Sequence, residues 1–289
     1  MNLIRIQIIV TKVLHFFETY SIIVIIKDDI IMQNSNKISA SLSQHALDAI
    51  KPSGLLGEKI IFYDELSSTF DKIKELPLTE GLTVVCAKQT NGCGRLGRTW
   101  ESNKGGIYFT FALTPPFGNF EIPFVTIVCA LGVCRALRDF LPCSIKWPND
   151  IVCKSKKICG ILTKTIAENG KISALLVGIG VNVNNDRFDV PHAASLKTIT
   201  GKTYDENIIL RKILEETEFV YTHMTAADII TEYKKHCVNL GRQVTIAYKG
   251  KEISGICTDI QKNGSMTFST ETESIDIHSG EVSVKGIYE

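Results

Sequence analysis

Between Thr90 and Trp100 the chain reads TNGCGRLGRTW, in which Gly92, Gly94 and Gly97 spell G-x-G-x-x-G. That spacing serves dinucleotides when the third glycine opens a helix, because the helix N-terminus and its dipole then hold the pyrophosphate. Here Arg98 and Trp100 lead instead to Gly105-Gly106 and a strand-like run. A protein-kinase glycine loop also joins two strands, but it needs H-R-D and D-F-G downstream, and neither occurs. A Walker loop ends in Gly-Lys-Ser/Thr, which this loop does not. Positive charge for an anion must therefore come from side chains, and Arg95 and Arg98 supply it. A guanidinium fork donates bidentately to phosphate or carboxylate. Taken alone, the loop reads equally as a surface hairpin with two solvated arginines.

Three further segments carry reactive residue types. KWPND (146–150) sets Lys146, Asn149 and Asp150 on a rigid proline elbow, so a cation, an amide and a carboxylate leave one turn. In KICGIL, Lys157 starts an apolar strand and Gly160 removes a side chain from it. GIGVNVN repeats the device with Gly178, Gly180 and Asn182. A strand glycine marks either close approach by a ligand or backbone, or only a bulge. Each segment also has a plain structural reading: a Trp-Pro plug, a lysine hairpin, a bulge. Together, two arginines, two lysines, an aspartate and three strand glycines point to a site for a small acid and a nucleotide.

Composition excludes several other classes. With 32 basic and 31 acidic residues among 289, the formal charge is +1, so no summed field draws the molecule to nucleic acid or anionic lipid. Nine cysteines lie scattered without zinc spacing and read as buried free thiols of a reducing compartment. The six histidines contain no i, i+4 pair, and no G-x-S-x-G marks a serine nucleophile. Residues 1–57 read as an accessory or poorly ordered extension. Its isoleucine-rich start is broken by charges before reaching the roughly 18 apolar residues of a membrane span, and it fits neither a signal nor a transit peptide well. Met32 is a plausible natural start.

The elements that must position these residues follow from residue 58. EKIIFYDEL (58–66), LTVVCAKQT (82–90) and GGIYFTFAL (105–113) read as strands, with a helix after Ser68 or Thr69 and the glycine loop joining the second and third strands. Apolar residues at helical spacing over 122–141, with Pro123 in the first turn, predict a buried helix. Residues 144–185 read as an antiparallel meander. Helices are expected over about 205–223, with Thr203 and Glu206 as a capping box, and over 225–237. Short alternating runs between glycine turns make 240–289 a small β-barrel, leaving 58–239 as the catalytic domain.

The order S-T, Q-x-x-G-x-G-R-x-G-R-x-W, K-W-P-N-D, K-x-x-G-I-L, G-x-G-x-N closely resembles the biotin protein ligases over 58–289. The resemblance implies an α+β fold: a central mixed, largely antiparallel sheet with helices on one side, class II synthetase-like, plus a C-terminal SH3-like barrel. It also implies ATP and Mg2+ as cofactors, biotin as substrate, activation to biotinyl-5′-AMP, and transfer to a lysine of a biotin carboxyl carrier domain. On this likeness Ser68, Thr69, Gln89, Gly92, Cys93, Arg95, Lys157, Gly160, Gly178 and Gly180 line the biotin pocket. Arg95, Arg98, Trp100, Lys146, Asn149, Lys157, Asn182 and Lys285 contact the nucleotide. Lys157, Arg95 and Asp150 are the catalytic set, Asp150 orienting the acceptor lysine or taking its proton.

Departures stand at Cys93, where many relatives have arginine, at Phe70, where they have asparagine, and at Lys285, often an arginine. The first 57 residues show no basic recognition helix, so DNA binding is not expected. No membrane partner is expected, the place is read as cytoplasmic with organellar targeting left open, and a homodimer is left open. The competing readings are a lipoate-type ligase of related fold and a non-catalytic biotin- or adenylate-binding module.

Overall fold

The computed structural model describes residues 42–49, 54–117, 120–248, 251–278 and 282–288. The readings of Met32 as a start and of a DNA-free extension fall mostly on residues outside that set. The described chain belongs to one compact unit from Ala40 onward. Along it run α1 (Gln44–Ala49), β1 (Ile60–Tyr63), α2 (Thr69–Lys74), β2 (Thr83–Cys86), β3 (Gly106–Leu113), α3 (Ile122–Arg138), β4 (Ser144–Lys146), β5 (Asp150–Cys153), β6 (Lys156–Glu168), β7 (Lys171–Asn182), α4 (Leu196–Thr200), α5 (Glu206–His223) and α6 (Ala226–His236). Five strands follow: β8 (Gln243–Tyr248), β9 (Lys251–Ile260), β10 (Met266–Ser269), β11 (Ser274–Ile277) and β12 (Val282–Val284).

The first seven strands form one sheet in the order β1-β2-β3-β7-β6-β5-β4. Only β1 and β2 run parallel, joined over α2; every other pair in this sheet is antiparallel. The expected mixed, largely antiparallel sheet is therefore present. Alternation divides its side chains: Ile107, Phe109, Phe111, Ile151, Cys159, Ile161, Val177 and Ile179 enter the main core. There they meet α3, whose Phe124, Ile127, Val128, Leu131, Cys134 and Leu137 are buried, while α5 and α6 pack on α3. The three long helices thus share one face. Short α2 lies on the other, where Phe70 and Ile73 pack with Leu82, Val84, Ala112 and Leu176. The rest of that face is open to a ligand.

Several local expectations are corrected. The core begins ahead of residue 58: Leu42 and Leu47 are buried, and the Leu42 and Leu56 amides donate to Glu206 and Glu218 of α5. The cap of α5 is Asp205, accepting from the Asn207 amide at 2.9 Å; it stands two residues beyond Thr203, directly before the first helical residue Glu206, so the Thr203–Glu206 pairing does not form the cap. A true capping box forms instead at Ser195 and Thr198 of α4. All nine cysteines are free, eight of them buried, and burial pushes the Cys86 and Cys129 thiols up to about 12. No helix among the described residues is long and apolar enough to cross a membrane.

The C-terminal strands form a second antiparallel sheet, β11-β10-β9-β8-β12, consistent with the expected SH3-like barrel. Its buried Val244, Cys257, Met266 and Phe268 belong to the same core as the large sheet, so no boundary in packing falls at residue 240. Trp147, fully buried at the elbow, joins the two sheets. Its indole N–H donates to the Gly264 carbonyl at 2.9 Å, and its amide donates to Asn239 Oδ1 at 2.8 Å. Trp147→Phe strands that carbonyl without a donor and should cost about 1–3 kcal/mol of stability. Urea unfolding checks it; an unchanged midpoint would show that the indole bond contributes nothing.

Candidate active site

Register assembles the site. Reading across the sheet, Lys146 pairs with Asp150, Asp150 with Gly160, Gly160 with Gly180, and Gly180 with Tyr108. Because their sequence neighbours point into the main core, these five residues share the opposite face. Lys157 joins them through an irregularity. Residues three apart on a strand face opposite ways, yet Val152 pairs with Lys157 directly after Ile151 pairs with Cys159, leaving Ile158 as an extra residue. That bulge restores Lys157 to the side of Gly160. It is the physical reason for the K-x-x-G spacing.

A cavity of about 590 Å³ lies over this row. Its floor is made by missing side chains. A Cβ on Gly180 would come within 2.3 Å of Trp100 Nε1, and one on Gly160 within 2.9 Å of Trp100 Cζ3, so the indole lies directly against both glycines. Gly178 makes the same allowance for Phe70. The glycine loop around Trp100 forms a hairpin with a single 3-10 turn at Arg95–Gly97, and no helix follows it, as its sequence predicts.

Charged groups gather on the elbow side. Lys157 Nζ lies 2.7 Å from Asp150 Oδ1 and 5.1 Å from the Trp100 ring centre. Arg95 Nη1 donates to Asn149 Oδ1 at 2.7 Å, while Asn149 Nδ2 donates to the Ile161 carbonyl, tying loop, elbow and β6 together. The elbow turns on a cis Trp147–Pro148 bond. Arg98 and Lys146 also line the cavity. His192, on the segment after β7, has its pKa lowered from 6.5 by partial burial and then by the charges of Lys157, Lys146 and Arg98. Burial is the larger cause, and the three cations act in the same direction.

At the far end, Gln89 accepts from the Thr69 amide at 2.8 Å and donates to Ser102 at 2.9 Å; Thr69 Oγ1 meets Thr110 Oγ1 at 2.8 Å. Thr69, Gln89, Cys93, Arg95, Arg98, Trp100, Lys146, Asn149, Asp150, Lys157, Gly160, Gly178, Gly180 and Asn182 all line the cavity, so most of the expected set converges. Ser68 and Gly92 stand behind the wall: the Ser68 hydroxyl is buried without a hydrogen-bond partner, and Gly92 leaves room for Ser102 and the Trp100 carbonyl. Lys285 does not reach the cavity; it is exposed, on a turn after β12. The C-terminal sheet instead contributes Val282, Ser283 and Tyr288. Tyr288 and His192 were not expected, since neither belongs to a spaced motif. An aromatic residue just past the last alternating run is the only trace of the first.

Comparison with known proteins places this geometry. Residues 63–182 match the Biotin/lipoate A/B protein ligase family. The Bifunctional ligase/repressor BirA of Bacillus subtilis is 35% identical over 171 residues, 55% of this chain and 53% of that protein. The chain thus spans about half the length of such curated relatives. A Biotin--[acetyl-CoA-carboxylase] ligase of Mycobacterium tuberculosis is 22% identical over 217 residues, covering 70% of this chain and 79% of its own. Among solved structures, the biotin protein ligase from Aquifex aeolicus in complex with biotin and ATP aligns with a TM-score of 0.71 at 30% identity, covering 79% of this chain and 99% of that one. With that relative matched along nearly its whole length, and with the same motifs meeting at one cavity, the chain belongs to the biotin/lipoate A/B protein ligase family, among its biotin protein ligases.

Proposed function

We propose that this chain activates biotin with ATP and transfers it to a lysine of a biotin carboxyl carrier domain. The observation that carries the reading is the convergence of Arg95, Arg98, Lys146 and Lys157 beside a floor of Gly160 and Gly180, inside one cavity. A related structure bound to biotin and ATP supports it.

The first step brings a biotin carboxylate oxygen to the α-phosphorus of ATP. An O–P bond forms, the α–β bridging bond breaks, and pyrophosphate leaves. Two anions must approach, so fixed cations are needed to offset repulsion and to hold the leaving charge. Lys157 suits the point where carboxylate and phosphate meet, because it stands over the glycine floor; Arg95 and Arg98, on the loop, and Lys146, on the elbow, suit the phosphates. Trp100 offers the adenine or the acyl tail an apolar face, and Gln89, Thr69 and Thr110 offer a polar end to the ureido ring.

Magnesium supplies further charge neutralisation on the phosphates. It is commonly held by substrate phosphates with one or two carboxylates, and Glu101 of the cavity lining would be the carboxylate to complete that set.

In the second step the acceptor amine attacks the acyl carbon, the bond to the phosphate oxygen breaks, AMP leaves, and the amine sheds a proton. Asp150 is the carboxylate placed to orient that amine or take the proton, once substrate has drawn Lys157 away from it. Arg95, bridged to Asn149, closes the loop against the elbow and shields the mixed anhydride from water.

Incubation with ATP, magnesium, labelled biotin and a carrier domain tests the reading. Label should appear on the carrier lysine, and Lys157→Ala should lower biotin-dependent pyrophosphate release by about a hundredfold or more. Transfer of lipoate in preference to biotin, binding without turnover, or a fully active Lys157→Ala variant would each contradict it. The charge field has its own test. With its folded-state pKa below 6.5, His192 favours the folded state while neutral, so the stability it confers is present above 6.5 and lost as pH falls through the lower value. Imidazole NMR should give a midpoint below 6.5 in the folded protein, rising when Lys146 and Lys157 are neutralised; a midpoint at or above 6.5 would mean the cations do not converge.

A further inference from the structure

Asp150 holds one carboxylate oxygen in an ion pair and the other in a hydrogen bond from a distant part of the chain. Oδ1 faces Lys157 Nζ at 2.7 Å, and Oδ2 accepts from the Tyr288 hydroxyl at 2.9 Å. Tyr288 follows the last strand of the C-terminal sheet and is itself fixed on several sides. Its ring stacks on His192 at 5.0 Å and 27°, the Lys146 ammonium lies 4.6 Å from its ring centre, and its amide donates to the Ser155 carbonyl at 3.1 Å. It thus touches three residues of the cavity that come from β4, β5 and the segment after β7.

We propose that Tyr288 is a positioning residue of this site: its hydroxyl holds the Asp150 carboxylate in place, making the C-terminal sheet part of the transfer machinery. The proposal rests on the ligase reading. In that chemistry Lys157 must turn toward carboxylate and phosphate, and Asp150 then loses the partner on Oδ1. Without a second anchor the freed carboxylate would rotate about its side-chain torsions or follow the ammonium. With Tyr288 on Oδ2, Oδ1 stays directed at the position Lys157 has vacated, where an acceptor amine must arrive. The tyrosine moves no proton itself: the amine's proton passes to Asp150 or to solvent, and the phenol remains a donor. Burial first, and then the Asp150 charge and the bond to it, push the Tyr288 phenol well above its ordinary value, which keeps it protonated. Among the described residues, the other titratable or charged groups about Asp150 include Lys146 across β4, Lys157 and Cys159 on β6, His192, and Tyr233 of α6, whose hydroxyl donates to the Pro148 carbonyl. Tyr288 donates to Oδ2.

The test separates the two half-reactions in the full chain. Tyr288→Phe keeps the ring, its stacking and the cation above it, and removes only the donor. It should leave the KM values for biotin and ATP within about twofold and lower the transfer kcat by about tenfold, the usual size for losing a hydrogen bond to a charged group. In an Asp150→Asn background, the same change should cost nothing further, because the tyrosine acts through that carboxylate. Equal losses in both backgrounds, an unchanged transfer rate, or a uniform fall in both steps with lowered thermal stability would overturn the proposal. One reading needs no turnover: in the Asp150→Asn protein the Tyr288 hydroxyl proton, followed by NMR, should lose the downfield shift that a bond to a carboxylate gives it in the wild type. No difference there would sink the tyrosine–aspartate link even in an active ligase. A chain that forms no biotinyl adenylate while that hydroxyl proton behaves as expected would instead refute the ligase reading alone.

Discussion

One extra residue in β6 decides whether this protein has a site. Without the bulge at Ile158, Lys157 would face the helices while Gly160 faced the cavity, and no ammonium would stand over the glycine floor. With it, Lys157 reaches Asp150 on the neighbouring strand at 2.7 Å, and cation, carboxylate and floor share one face. A lone ammonium half-buried against apolar strands would be costly, and pairing with Asp150 offsets part of that cost. Asp150 thus serves the resting protein as the counter-ion of a lysine that substrate anions are expected to claim.

The same constraint explains why the elbow is held so firmly. Lys146 and Asp150 are cross-strand partners, and between them Trp147 is buried against the C-terminal sheet while Asn149 bonds the β6 backbone. A shift of one residue anywhere in this turn would send every side chain of β4 or β5 to the other face. The small sheet therefore acts as a brace for the elbow as well as a source of Tyr288, and its core residues merge with those of the large sheet. The arginine loop is different in kind. It is tied to the elbow through Arg95 and Asn149, exposes Leu96 at its tip, and has Gly97 and Leu96 in left-handed conformation.

Much of this was legible in the chain. Turn residues at Pro148-Asn149-Asp150, Ser155-Lys156 and Asn169-Gly170 marked the meander, and helical spacing marked α3. The absence of a helix after Gly97 correctly removed the dinucleotide reading. Register was not legible, because pairing partners are set by bulges and by contacts between strands far apart in sequence. Glycines 160 and 180 could be read as close-approach positions, but not as partners of each other under Trp100. Helix α1 lay inside the segment that read as accessory; its Leu47 is buried by packing against α5 and β1, which only the tertiary structure supplies. Lys285 was expected from a motif position and proves to be on the outer side of a turn, while Tyr288, three residues on, faces inward. Likeness in motif order locates a segment, and the fold decides which of its residues points at the chemistry.

The account stands on side-chain cations, held on strands and strand-connecting turns, doing what a helix terminus does in other nucleotide sites. A crystal structure of this chain grown with biotin and ATP measures that directly. It should show the acyl phosphate between Lys157 and Arg95, with Lys146 on the nucleotide side and the ligand's rings against the Trp100 indole that covers Gly160 and Gly180. A nucleotide bound elsewhere, with Arg95, Lys146 and Lys157 turned apart into solvent, would contradict it.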